Sequence, residues 1–197
     1  LSQLLDELGV RVPVTVLGYS MGAAIATRFA STESDRVDRL ILLAPAGMGY
    51  EPSKFLAVAR VAGPFGDWLW GLVGPWLLRA WAKDEANGAS VITDLPDRIR
   101  AELKRKGYLA AILSSERHAL TESIADDHRE IGAMFIPTLA IWGEADEVVP
   151  ISGVGQLAIW NRQAHQEVIP GAPHSLVYTR PTQVLEAIRT FLRDVPE

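Results

Sequence analysis

The stretch VPVTVLGYSMGAAIATRFA, residues 12–30, decides the fold of this chain. Its first part, Val12–Leu17, is rich in β-branched residues and predicts a buried strand. Its last part, Met21–Ala30, is rich in alanine and predicts a helix. Between them, residues 18–22 have the G-x-S-x-G pattern of a sharp turn that presents a serine, Ser20, at the carboxyl end of a strand. We expect a Cβ at either flanking glycine, residue 18 or 22, to clash with the neighbouring strand or helix.

Strands and helices alternate on both sides of this turn. Helices are predicted at Leu1–Leu8, Pro150–Trp160 and Pro181–Leu192, and further strands at Val37–Ala44, Thr138–Trp142 and His165–Ile169. Alternation of this kind is typical of a parallel sheet covered by helices. The sequence therefore predicts an α/β fold with about four parallel strands.

The middle of the chain has a different character, because strand signals vanish between about residues 47 and 132. Amphipathic helices are predicted at Ile99–Lys106, Tyr108–Leu120 and Ile124–Ile131. We therefore divide the chain into an α/β core, residues 1–47 and 133–197, and a helical insertion, residues 48–132. The basic run Arg98–Lys106 is interpreted as a solvated helix face.

Four tryptophans cluster in the insertion, at positions 68, 70, 76 and 81. Three interpretations are open. They pack the insertion against the core, they form an apolar wall over Ser20 for an acyl chain or an aromatic ring, or they contact a lipid surface.

Composition excludes several classes of function. The formal net charge of −5 argues against a nucleic-acid binder, which needs a basic face to displace counterions from phosphate. The absence of cysteine excludes disulfides, thiolate zinc sites and thiol nucleophiles. No apolar run reaches the roughly 18 residues of an integral membrane segment. We predict a cytoplasmic protein, and composition leaves its oligomeric state open.

A serine nucleophile needs a base, and the chain has four histidines. His174 lies in GAPHS, residues 171–175, directly after the last predicted strand, where α/β sheets collect their functional groups. His165 begins that strand and faces an uncertain direction. His118 and His128 lie on charge-rich helical segments and are predicted to be solvated. Position therefore favours His174.

The base in turn needs an acid that fixes its tautomer. Asp146 lies in WGEADEVVP, residues 142–150, in the loop after the third predicted strand. Glu144 and Glu147 are neighbouring alternatives. Asp146 is favoured because the tight turn at Gly143 gives a short side chain a fixed direction.

The order Ser20, Asp146, His174 is the nucleophile, acid and base order of α/β-hydrolases. With GYSMG, WGEADEVVP and GAPHSL each following a strand, the chain resembles the carboxyl-terminal part of a lidded serine α/β-hydrolase. The resemblance implies that Ser20 attacks a carbonyl, His174 takes its proton and Asp146 orients His174. It identifies the insertion as the family's lid. Met21 is the first residue of the predicted helix Met21–Ala30, and its backbone N–H is expected to stabilise the developing oxyanion.

The resemblance also implies a reaction class. We expect hydrolysis of a carboxylic ester or related acyl bond of a small apolar substrate through an acyl-enzyme, without a metal or organic cofactor. Carbon–carbon bond hydrolysis and peracid formation by the same side chains stay open, as does a non-catalytic binding module or inactive fragment that retains the fold.

The same family has eight strands, whereas four are counted here. We therefore expect this chain to be part of a longer hydrolase whose first four strands precede Leu1, together with the loop that carries the second oxyanion donor. The first strand seen here is expected to lie at a bare, apolar edge of the sheet. The chain by itself is expected to be weakly active or inactive.

Overall fold

The computed structural model of the chain describes residues 1–48, 53–87 and 90–195. The strands are β1 (Val14–Tyr19), β2 (Val37–Leu43), β3 (Thr138–Gly143) and β4 (His165–Ile169). The helices are α1 (Ser2–Glu7), α2 (Met21–Thr32), α3 (Lys54–Val61), α4 (Gly63–Asn87), α5 (Leu95–Glu102), α6 (Tyr108–Arg117), α7 (Ala125–Ala133), α8 (Gly153–Trp160), α9 (Leu176–Thr179) and α10 (Pro181–Asp194).

The four strands form one parallel sheet in the order β1-β2-β3-β4. This confirms the predicted α/β class and the predicted strands, although β1 begins two residues later than expected. Among the described residues β1 pairs with β2 alone, and Leu17 on it is half-exposed. The expectation of an apolar strand at this edge is confirmed.

Strand β2 explains why the sheet needs helices on both faces. Successive side chains of a strand point to opposite faces, and both sets on β2 are buried. Leu40 and Leu42 belong to an apolar cluster with α2, α7 and α8. Ile41 and Leu43 belong to a second cluster with α9 and α10. The sheet is therefore the middle of three layers.

Helix α5 differs from its prediction. We predicted Ile99–Lys106, whereas the helix spans Leu95–Glu102. Pro96 lies in its first turn, where the lost N–H costs nothing, and this favours the earlier start. The basic side chains of the run Arg98–Lys106 are exposed, as predicted, and make i,i+3 and i,i+4 ion pairs. Only Arg98 and Arg100 of this run lie on the helix, so the helix face is shorter than predicted.

Helix α4 runs for 25 residues through a segment that contains several glycines and Pro75. Two of these glycines allow close packing. A Cβ on Gly74 would lie 3.0 Å from the Trp70 ring, and one on Gly66 would meet the backbone carbonyl of Ala59. The contacts of α4 with α3 and with its own tryptophan therefore leave little or no room for a side chain at these two positions.

The four tryptophans of the insertion have different environments. Trp70 is buried with Ala59 and Leu113 in the insertion's own apolar cluster, and its Nε1–H donates to the carbonyl of Leu109 at 2.8 Å. The other three, at positions 68, 76 and 81, are 61%, 65% and 41% exposed. Trp70 therefore packs within the insertion, and none of the four tryptophans belongs to the two apolar clusters on the sheet, so the interpretation that they pack the insertion against the core is not confirmed.

Helices α3 to α6 pack on one another, whereas α7 packs against α2 and α8 and contributes Ile131 to a core cluster. The division of the chain at residues 48 and 132 stays a prediction. No helix in the described ranges is both long enough and apolar enough to cross a bilayer. The cytoplasmic location also stays a prediction.

The prediction that His128 is solvated is wrong. Its side chain on α7 is completely buried and stacks on Trp160 with ring centroids 6.1 Å apart. Both ring nitrogens lack a hydrogen-bond partner among the described residues. Burial lowers the pKa of His128 from about 6.5 to about 4, against the smaller opposing effect of the Asp127 carboxylate.

This burial predicts an acid-sensitive fold. The unfolded chain takes up a proton at His128 near pH 6.5, whereas the folded chain resists protonation until about pH 4. The free energy of unfolding should therefore be unaffected by this group above pH 6.5 and fall by up to about 1.4 kcal/mol per pH unit between those values. Urea unfolding at about pH 7.5, 6 and 5 measures this fall in the free energy of unfolding, because these values lie on both sides of the ordinary histidine pKa of roughly 6.5.

The variant His128→Phe keeps the ring stack and should flatten this pH dependence. The matched control, His118→Phe, changes an exposed histidine and should leave the slope as in the original protein. Equal slopes in the original protein and His128→Phe would show that His128 does not resist protonation.

Candidate active site

Ser20 lies at the junction of β1 and α2 in a backbone conformation rare for a residue with a side chain, φ 52° and ψ −122°. Hydrogen bonds from both sides hold it there. Its N–H donates to Leu43 at the end of β2 at 2.9 Å, and its carbonyl accepts from Ala23 at 2.9 Å and Ala46 at 3.2 Å. A conformation of this kind costs about 1–3 kcal/mol and persists only where its surroundings over-determine it.

The two glycines that flank Ser20 differ in their surroundings. A Cβ on Gly18 would meet the backbone oxygen of Gly22 and would lie 2.6 Å from Cα of Ala23, so the predicted clash is confirmed there. At Gly22 the prediction is wrong, because no heavy atom considered lies within 4 Å of the place where its Cβ would stand. Gly18 is therefore the position that lets the strand and helix meet.

We expect the two alanine variants to behave differently. Gly18→Ala forces α2 away from β1 and should lower the free energy of unfolding by about 1–3 kcal/mol, the usual cost of overpacking. Gly22→Ala adds a good helix former in open space and should be neutral or slightly stabilising. Urea unfolding of both variants measures the difference, and equal losses would contradict this account of the turn.

The structure brings Ser20, His174 and Asp146 into one hydrogen-bonded line. Nε2 of His174 lies 2.8 Å from Oγ of Ser20, and Nδ1 of His174 lies 2.8 Å from Oδ2 of Asp146. The three residues follow β1, β4 and β3, whose carboxyl ends share one edge of the sheet. The His174 side chain is 18% exposed and that of Asp146 is 2% exposed.

The second carboxylate oxygen of Asp146 fixes the direction of its side chain. Oδ1 accepts hydrogen bonds from the backbone N–H groups of Val148 and Val149, both at 2.8 Å. These two bonds leave Oδ2 aimed at His174. Neighbouring Glu147 is exposed. The short side chain at residue 146 is thus the one that contacts the histidine.

The loops that carry Asp146 and His174 are joined to each other. Backbone N–H groups of Glu144 and Ala145 donate to carbonyls of Ile169 and Ala172 at 3.1 and 3.0 Å. The Glu144 carboxylate accepts from the N–H of Gly171 at 2.9 Å. Glu144, which sequence reasoning treated as an alternative acid, therefore braces the histidine loop instead.

The other histidines lie elsewhere. His165 is exposed and contacts Phe191, His118 is exposed, and His128 is buried among helices. Sequence reasoning missed the half-buried Tyr19, whose hydroxyl donates to the carbonyl of His174 at 3.1 Å and whose ring lies 5.5 Å from the imidazole. Its place directly before the serine was the only signal available.

A cavity of about 220 Å³ opens on Ser20 and Met21. Apolar and polar side chains share its wall, which is formed by Ala46, Ile112, Ser115, Glu116, Leu120 and Val148. These described lining residues include no tryptophan, so the tryptophan wall over Ser20 is not found. The roof comes instead from α6 and the turn that follows it.

A larger cavity, of about 500 Å³, lies between β4 and α10 and is lined by residues such as His165 and Phe191. It shares no lining residue with the cavity at Ser20. In the described ranges, no group of three or more His, Asp or Glu side chains is placed to hold a metal ion. The groups that meet at the sheet edge are the hydroxyl of Ser20, the imidazole of His174 and the carboxylate of Asp146.

A parallel sheet with a serine on a strained strand-to-helix turn, and with acid and histidine loops at the same edge, defines the α/β-hydrolase class. The family model described as serine aminopeptidase, S33 matches residues 2–180. The chain belongs to this family of α/β-hydrolases. The predicted resemblance is confirmed.

Similar proteins include hydrolases of different substrates. Monoacylglycerol lipase abhd6-B of Xenopus laevis is 28% identical over 202 residues, which cover 96% of this chain and 58% of that protein. The chain therefore spans less than three fifths of the length of this relative.

Two solved structures resemble the fold. The meta-cleavage product hydrolase of Pseudomonas fluorescens has a TM-score of 0.71 at 21% identity, over 98% of this chain and 69% of that one. A thermophilic esterase of Thermogutta terrifontis has a TM-score of 0.65 at 21% identity, over 98% of this chain and 69% of that one. At these identities the similarity establishes the fold alone.

Proposed function

We propose that this protein is a serine hydrolase that cleaves the carboxylic ester bond of a small apolar substrate through an acyl-enzyme. The observation that carries the proposal is the continuous line of hydrogen bonds from Ser20 through His174 to Asp146, with both distances at 2.8 Å. Both distances lie within the hydrogen-bond range required between a nucleophile and its base, and between the base and the group that orients it.

The hydrogen bonds of Asp146 select the state of the imidazole. An ionised carboxylate can only accept, so Nδ1 of His174 carries the proton that faces it. The neutral ring then presents a lone pair at Nε2, which accepts from the hydroxyl of Ser20. The base is therefore oriented toward the nucleophile before substrate binds.

The reaction follows from this state. Oγ of Ser20 attacks the carbonyl carbon while its proton moves to Nε2 of His174, and negative charge develops on the carbonyl oxygen. The N–H of Met21, in the first turn of α2 and without a partner inside the helix, stabilises that charge. His174 then protonates the leaving alcohol, and water releases the acyl group by the reverse proton path.

The cavity supports a small apolar acyl group. Its volume of about 220 Å³ lies below the roughly 300–1,000 Å³ typical of pockets for drug-sized ligands. Ile112 and Leu120 from the insertion and Val148 from the acid loop give it apolar walls. We infer that residues 48–132 act as a lid that selects the substrate. Ester cleavage also fits the names of the lipase and esterase relatives.

The experiment is covalent labelling with a fluorophosphonate, which reacts with an activated serine. We expect labelling of the peptide that contains Ser20, no labelling of Ser20→Ala, and a loss on the order of 10⁶ in ester hydrolysis for His174→Ala. The matched control is His165→Ala, which removes an exposed histidine away from the site and should retain both labelling and hydrolysis.

Absence of labelling at Ser20 in a protein that thermal unfolding shows to be folded would contradict the proposal that this chain is a hydrolase, and would favour a binding module or an inactive fragment. Labelling that survives in His174→Ala would remove the base from the mechanism. If labelling occurs without cleavage of p-nitrophenyl acetate or butyrate, carbon–carbon hydrolysis or peracid formation by the same side chains becomes the better description. Preference for short over long acyl esters would support the small cavity.

A further inference from the structure

Helix α4 presents a line of large apolar side chains to solvent. The line consists of Phe65, Trp68, Leu72 and Trp76, which are 60%, 61%, 64% and 65% exposed. Their spacing of three, four and four residues places them on one side of the helix, along about 16 Å of its axis. We refer to these four residues as the outer face of α4.

The helix cannot turn to bury this face, because its other side is fixed to the insertion. Trp70 is 6% exposed and donates its Nε1–H to the carbonyl of Leu109 on α6 at 2.8 Å. Gly66 lies against the backbone of Ala59 on α3, and Ala82 is completely buried. The outward direction of the apolar line is therefore set by the packing of α4.

Basic residues continue the same line. Arg79 and Lys83 follow Trp76 at spacings of three and four residues, and both are exposed. The acidic side chain of Asp67 lies off this line and pairs with Arg117 of α6 at 2.6 Å. Along its outward side, α4 thus changes from apolar and aromatic to positively charged.

We propose that the outer face of α4 docks on the surface of a lipid bilayer. Tryptophan suits the boundary between headgroups and acyl chains, because its ring is apolar and its indole N–H is polar. Arg79 and Lys83 complement the phosphates of the headgroups in charge. In this arrangement α4 lies along the surface, with its outer face toward the acyl chains.

A second copy of the chain fits this face less well. Four side chains of about 150–250 Å² each, exposed by nearly two thirds, offer roughly 500 Å². A stable protein interface needs about 800 Å² per partner. A lipid surface has no such minimum, because each inserted ring contributes separately.

The test is flotation of the protein with vesicles of phosphatidylcholine, alone and with phosphatidylserine. The protein should bind both and bind the anionic vesicles more tightly. The double variant Trp68→Ser, Trp76→Ser should bind both kinds of vesicle at least about tenfold more weakly, because each substitution removes the apolar area that one indole ring would bury in the bilayer. The double variant Arg79→Glu, Lys83→Glu should lose only the preference for anionic vesicles.

The matched control is Trp81→Ser, which removes another exposed tryptophan, about 140° around the helix from Trp76. It should bind vesicles like the original protein. Equal binding by the Trp68, Trp76 double variant, or an equal loss in the Trp81 variant, would overturn the proposal. So would a failure of the original protein to bind vesicles, and light scattering that finds a dimer dependent on Trp68 and Trp76 would then identify the occupant as a second copy.

Discussion

The site depends on one constraint, the close approach of the end of β1 to the start of α2. Only a residue without a side chain fits at Gly18, because Cα of Ala23 would lie 2.6 Å from an added Cβ. That approach forces Ser20 into its positive φ, and the hydrogen bond to Leu43 ties the turn to the next strand. The serine hydroxyl is thereby held at the sheet edge independently of any ligand.

Parallel topology brings the other two side chains to the same edge. The residues that follow β3 and β4 meet there because all four strands run in one direction. The acid and histidine loops are then fastened to each other through Glu144, Ala145 and the backbone of residues 169–172. A geometry with both hydrogen bonds at 2.8 Å follows from these rigid supports rather than from flexible surface loops.

Local patterns in the sequence predicted the parts of the structure that depend on local physics. The β-branched run before Gly18, the alanine-rich helix after it and the strand-end positions of Asp146 and His174 are all short-range signals. The prediction at Gly22 was wrong because free space around a residue depends on distant elements. The prediction that His128 is solvated was wrong for a related reason. Its charged neighbours on α7 suggested an exposed position, whereas its contact with Trp160 depends on how α7 packs against α8.

Other features had no signal in the sequence. Gly66 and Gly74 on α4 lie at close contacts that only the folded chain makes. The bracing role of Glu144 depends on the distance between two loops, and so does the hydrogen bond of Tyr19 to the histidine loop. The sequence shows that α4 contains many apolar residues, but it does not show which of them are exposed. That depends on the side of the helix that Trp70 fixes to the insertion.

The central claim is that Asp146 holds His174 as the tautomer with its proton on Nδ1, so that Nε2 faces Ser20. Nitrogen-15 NMR of the imidazoles at neutral pH tests it directly, since the chain has only four histidines. The account predicts a protected, strongly downfield proton on Nδ1 of His174 that persists in Ser20→Ala and disappears in Asp146→Ala. A His174 ring with its proton on Nε2, in rapid exchange with water, would contradict it.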